Sequence, residues 1–140
     1  MPRRLFPLPI ALIGASLLLG ACGSSSSATL PGTAWTVTDI AGRATVATAP
    51  PTIIFGTDGT VSGTTGCNQY NGTYTTDGDK LTVGPLATTR MACDDAINVQ
   101  EAAFTEAFSG ATSWSIKSDG SLEIKGTSDI LGSPAGQPET

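Results

Sequence analysis

The residues of this chain whose types and spacing could do chemistry are three cysteines, two carboxylate pairs and one arginine set among threonines. Cys67 lies in Gly66-Cys67-Asn68-Gln69-Tyr70-Asn71-Gly72-Thr73-Tyr74, and Cys93 closes Ala87-Thr88-Thr89-Arg90-Met91-Ala92-Cys93. The third, Cys22, ends an apolar leader. A thiol can carry a lipid, form a crosslink or exchange with another disulfide. With Cys22 taken for lipid, an exported and oxidising setting favours a Cys67–Cys93 bridge. Closing a loop of about 25 residues stabilises by about 3.5 kcal/mol in the chain-entropy treatment. The alternative is a redox-active pair, for which no Cys-x-x-Cys spacing is present.

The remaining candidates are weaker as catalysts. Asp77-Gly78-Asp79 and Asp94-Asp95 pair carboxylates, but a calcium loop needs about six oxygens at set spacing. Two carboxylates can also hydrolyse a glycosidic bond, and here no cleft-forming pattern surrounds them. Histidine is absent from all 140 residues. That removes Ser-His-Asp and Cys-His catalysis and every imidazole metal ligand. The expectation is therefore a protein that is not an enzyme and has no cofactor and no metal. Arg90 either pairs with Asp94 or Asp95 to hold a helix start or meets an anionic partner. Asn68, Asn71 and Tyr70 are either turn residues or ligand contacts. Asn68, Tyr70 and Arg90 are the candidate interaction residues.

The leader sets the location. Arg3 and Arg4 precede an apolar run from Leu5 to Leu19 that Pro7, Pro9 and Gly14 interrupt. The run is too short and broken for an ordinary membrane span and reads as an export signal over residues 1–21. Leu19-Gly20-Ala21-Cys22 resembles a bacterial lipobox. Small residues admit the peptidase, and the Cys22 thiol then carries a diacylglycerol. Arg3-Arg4-Leu5-Phe6 also resembles part of a twin-arginine signal. Residues 22–30, rich in serine, are expected to be a flexible tether. The protein is thus expected on the cell membrane or outer membrane, anchored through Cys22, with its domain on the extracytoplasmic side.

Charge narrows the partners. The chain carries −5, and without Arg3 and Arg4 five basic residues face twelve acidic ones, a charge of −7. The basic residues are scattered singly, which argues against nucleic acid and against a polybasic grip on anionic lipid.

The elements that must position these residues are mostly strands. Thr33–Ile40 alternates around Trp35 and Val37 and predicts a first strand. Residues 42–48 are a weak strand or a loop. Thr52–Phe55 and Thr60–Gly63 flank Thr57-Asp58-Gly59, Thr73–Thr76 and Lys80–Val83 flank Asp77-Gly78-Asp79, and Trp114–Ile116 and Leu122–Ile124 flank Ser118-Asp119-Gly120. These predict three hairpins with Asp-Gly turns. Asn68, Asn71 and Gly72 suit turns or left-handed backbone. From Ala96 to Ser109, Ile97, Phe104 and Phe108 share one face widened by Ala103 and Ala107, which predicts the one helix. Asp94 and Asp95 sit at its start and Gly110 at its stop. Ile130-Leu131 adds a short last strand, and residues 133–140 are expected to be a disordered tail. The fold class is α+β, a curled, open barrel-like antiparallel sheet of short hairpins with one helix packed against it, over residues 31–132.

Trp35, the Phe55…Gly63 hairpin, Gly66-Cys67-Asn68…Gly72-Thr73-Tyr74, Leu86-Ala87-Thr88-Thr89-Arg90-Met91-Ala92-Cys93 and Glu101…Phe104 together resemble the META domain, also called the HslJ-like domain. The likeness spans roughly Leu30 to Leu131. It implies a curled sheet with a helix against it, a bacterial envelope or secreted location, a disulfide between the Cys67 and Cys93 positions and a link to stress. It assigns no reaction. The function expected is a non-enzymatic envelope lipoprotein acting as a stress-related protein-interaction module. The alternative is a binder of a small apolar ligand inside the curled sheet, since Trp35, Trp114 and Ile116 could line either a core or a pocket.

Overall fold

The computed structural model describes residues 28–136. The export signal and Cys22 lie outside them. Ten strands and one helix follow in order. They are β1 (Thr33–Ile40), β2 (Arg43–Ala44), β3 (Thr52–Phe55), β4 (Thr60–Thr64), β5 (Gln69–Asp77), β6 (Lys80–Val83) and β7 (Ala87–Thr88). Then come α1 (Asp95–Ser109), β8 (Ala111–Ile116), β9 (Leu122–Gly126) and β10 (Ile130–Pro134).

The predicted hairpins are present. β3–β4, β5–β6 and β8–β9 are antiparallel pairs turned at Gly59, Gly78 and Gly120, each with positive φ. That backbone carries no side-chain clash in glycine, and its twist suits adjacent strands. The sheet runs β10-β9-β8-β6-β5-β4-β3-β1, and β1 pairs again with β10 from Trp35↔Pro134 to Ile40↔Ile130. The curled sheet therefore closes into an antiparallel barrel of eight strands, with β2 beside β1 and β7 beside β5. Closure removes the two long edges that an open sheet would expose.

Four details differ from the sequence expectation. Tyr70, Asn71 and Gly72 lie in strand β5, paired with β4 on one side and β7 on the other. Gly72 is glycine for closeness, since a Cβ there would meet Leu86 Cδ2 and Pro85 O at 2.9 Å. Leu30, assigned to the tether, is fully buried in the core. β10 runs on through Ser133 and Pro134, assigned to the tail, because they pair with Thr36 and Trp35. The two-residue strand β7 was not anticipated; Asn71↔Ala87 and Tyr70↔Thr88 create it.

The barrel interior is lined by apolar side chains. Val37, Ile53, Phe55, Val61, Leu81, Leu122, Ile124 and Ile130 alternate inward, and Phe104, Ala107 and Phe108 of α1 join them in one cluster. Helix α1 lies against β1, β6, β9 and β10. Phe108 meets the Phe55 and Tyr70 rings at 6.3 and 6.1 Å, and Phe104 meets Tyr70 at 5.5 Å. Trp114 and Ile116 are only partly buried against this cluster. Gly110 ends the helix at φ −90°, so its glycine serves close approach, because a Cβ would lie 2.4 Å from Thr127 Oγ1.

Candidate functional site

The two cysteine stretches meet beside the first turns of α1. The β4–β5 connection, Thr64 to Asn68, folds on threonine hydroxyls. Thr65 Oγ1 accepts the Asn68 N–H at 2.9 Å, and Thr64 Oγ1 accepts the Gly66 N–H at 3.0 Å. Gly66 takes φ +97°, and a Cβ there would stand 2.4 Å from Ala49 O and 2.6 Å from Gln100 Nε2. The tight turn sets Cys67 against Cys93, and the two form a disulfide with Cα atoms 5.9 Å apart.

Asn68 is the hub of this region and is 3% exposed. Its Nδ2 donates to Glu101 Oε1 at 2.8 Å and to Met91 O at 3.3 Å. Its Oδ1 accepts the Met91 N–H at 2.6 Å and the Thr89 hydroxyl at 2.9 Å. One amide thus joins the β4–β5 turn, the strap from Thr88 to Cys93 and the helix. Gln100, beside Glu101, makes a second tie. It donates to Ala49 O at 2.7 Å and accepts the Val46 N–H at 2.6 Å, which holds the β2–β3 loop to α1. Tyr70 is 3% exposed, and its hydroxyl donates to Thr52 O at 2.7 Å. Burial pushes its phenol well above the usual tyrosine range.

The three candidate interaction residues therefore part company. Asn68 and Tyr70 face inward and are occupied by the protein itself. Arg90 is exposed. Among the described residues the ion pair is Lys125 with Glu123 at 3.5 Å, so Arg90 does not bridge to Asp94 or Asp95. The helix start is held instead by Asn98, whose Nδ2 donates to Cys93 O at 2.8 Å. Asp94 is the N-cap residue but makes no side-chain capping bond. Sequence reasoning missed Gln100 and the exchange between Asn68, Thr89 and Glu101. The one signal was two long polar side chains in succession at the border of the apolar helix face. Among the described residues no group of three or more His, Cys, Asp or Glu converges as a metal site. No described helix is long and apolar enough to cross a membrane.

Among the hollows on the surface of the described residues, one with mainly aliphatic walls, about 330 Å³, lies between β2 and the first half of α1. Ile40, Ala44 and Val46 form one wall, and Ala96, Val99 and Ala103 form the other. Arg43 and Asp95 are its charged residues. Val99 is 60% exposed there, a large aliphatic side chain left without a cover.

The family model for the META domain matches residues 28–131, which takes in the barrel, the strap and the helix. The chain belongs to the META domain family. A protein from Burkholderia xenovorans, solved by NMR, is 26% identical, with a TM-score of 0.64 over 77% of this chain and 85% of that one. A DUF4847 family protein from Bacteroides vulgatus ATCC 8482, solved by crystallography, shares the fold at 15% identity. Its TM-score is 0.59 over 78% of this chain and 96% of that one. Among curated proteins none matches the sequence.

Proposed function

We propose that this META-domain chain is a lipid-anchored, non-enzymatic envelope protein that works as a stress-related protein-interaction module. The observation that carries the reading is where the polar side chains point. Asn68 and Tyr70 turn inward, and the side chains of Gln100 and Glu101 are held by the protein's own groups, while the walls of the exposed groove are mainly aliphatic. Groups arranged in this way build a stiff scaffold and leave recognition to a surface. The lipobox at Cys22 supplies the anchor, and the twelve acidic residues keep the domain off anionic headgroups. The chain enters the barrel at Leu30, beside the β3–β4 end, where Gly32 N–H donates to Phe55 O. β1 then carries it across to Ile40, about 23 Å away at roughly 3.3 Å per residue. The groove thus lies at the far end of β1 from Leu30, open to a partner.

The test is crosslinking in intact cells, with capture of the anchored protein and identification of what comes with it. One dominant envelope protein is expected, in larger amount under envelope stress. An empty capture sinks the reading. A second reading, binding of a small apolar ligand, draws on the same groove. The dense cluster of aromatic and aliphatic side chains inside the barrel favours the surface groove over the interior as its place. Extraction of the purified protein with organic solvent would then yield a bound apolar molecule.

A further inference from the structure

The β1–β2 hairpin leaves one backbone residue facing the groove. Ala41 and Gly42 have φ of 54° and 81°, a two-residue turn that makes Ile40 and Arg43 the pair exchanging both hydrogen bonds. Two residues on, the Thr45 N–H donates to Thr38 O at 3.1 Å. The alternation of an antiparallel ladder then turns the N–H and C=O of Ala44 away from β1. Among the described residues β2 pairs with no strand other than β1. Ala44 lines the groove whose other wall is α1. A free strand edge running beside a helix, with an apolar trough between them, is a receptor for extended backbone.

The charges favour one kind of extended backbone. Arg43 and Asp95 both line the groove and form no ion pair with each other. Arg43 is one of only five basic residues outside the leader, on a surface that otherwise repels acidic chains. The two uncharged polar side chains of the groove are already engaged, Gln100 at both ends of its amide and Thr45 through its hydroxyl to Val37 O. Among the described residues, Arg43 and Asp95 are then the groove's free charges, and they lie beside the backbone edge of Ala44 and the apolar wall of α1.

We infer that the groove takes an extended segment of a partner protein by strand addition at Ala44. One aliphatic side chain of the segment packs on Val99 and Ala103, and a carboxylate of the segment faces Arg43. The inference rests on the interaction-module reading and names its partner class. One edge residue supplies two backbone hydrogen bonds, so binding is modest and depends on the apolar anchor as much as on the edge.

The test is an NMR titration of the isotope-labelled full-length chain in dilute detergent. The probe is a synthetic pool of acetylated peptides alternating Val, Ile or Leu with Thr and ending in Glu. The expected result is a shift of the Ala44, Thr45 and Val99 amides with slowed exchange of the Ala44 N–H. The same pool with a methylated backbone should leave these amides in place. Val99→Lys, at an exposed position that folding does not need, should weaken the peptides about tenfold, which is about 1.4 kcal/mol. No shift, or an equal shift with the methylated pool, overturns strand addition. Decanoate moving the same amides while the peptides do not would make the groove an amphiphile site and also overturn it. Capture from cells separates the two claims. A partner retained by the Val99→Lys protein removes the groove but keeps the module, and an empty capture with the wild type removes the module itself.

Discussion

Replacing Asn68 by alanine should cost about 3 kcal/mol without unfolding the domain. The side chain makes three neutral hydrogen bonds, to Met91 N–H, Met91 O and the Thr89 hydroxyl, and one to the Glu101 carboxylate. Neutral bonds contribute about 1 kcal/mol each and a charged one about 2, or about 5 in all. Met91 is 62% exposed and Glu101 only partly buried, so water recovers part of the loss. About 3 kcal/mol remains, a large share of the roughly 5–15 kcal/mol that holds a domain of this size together. Asn68→Asp is the sharper probe. It keeps the shape but sets a second carboxylate within hydrogen-bond distance of Glu101, so at neutral pH it should destabilise more than alanine does. Like charges raise the proton affinity of the folded pair above that of the unfolded chain. Stability of this variant should therefore rise as pH falls toward the ordinary carboxylate range, and Glu101→Gln in the same protein should restore it at neutral pH. Urea unfolding at two pH values, with no reductant present, measures all of this. A cost for Asn68→Ala under about 1 kcal/mol, or a pH-independent penalty for Asn68→Asp, would refute the account of Asn68 as the hub.

Four further outcomes are expected. Changing Cys67 and Cys93 together to serine should lower the unfolding free energy by about 3.5 kcal/mol, read from urea curves, and the wild-type protein, denatured without reductant, should show neither thiol to a labelling reagent. Gly66→Ala should cost about 2–4 kcal/mol, because its φ is left-handed and the new methyl would strike Ala49 O; a thermal midpoint within a degree or so of wild type would contradict this. Tyr70→Phe should cost about 1–2 kcal/mol through the lost bond to Thr52 O. In the wild type, the Tyr70 phenol stays protonated in the fold at a pH where the unfolded chain ionises it. Stability should therefore fall as pH climbs past the ordinary tyrosine range, and absorbance should show that phenolate forming only together with unfolding.

The sequence by itself determined the local pieces. Strand alternation around Trp35 and Val37, three Asp-Gly turns and the Phe104–Phe108 helix face all appear where period and turn chemistry put them, because each depends on residues a few positions apart. The cysteine pairing was legible for a different reason, since reading Cys22 as part of a leader left only two cysteines to pair. Tertiary structure alone decided what joins distant segments. Barrel closure needed β10 to find β1 across nearly the whole chain, and it drew Ser133 and Pro134 into the sheet and Leu30 into the core. Asn68 and Tyr70 read as polar turn residues, yet the strap from Thr88 to Cys93 and the helix cover Asn68, and the Phe104 and Phe108 rings pack on Tyr70. Arg90 read either as half of an ion pair or as a contact for an anionic partner; the ion pair does not form, and the disulfide and Asn98 hold the helix start without it. The groove beside Val99 exists only because β2 and α1, more than fifty positions apart at Arg43 and Ala96, end side by side. A periodic pattern shows which face of an element seeks burial, whereas the partner that buries it, or leaves it open, is set by packing across the whole chain.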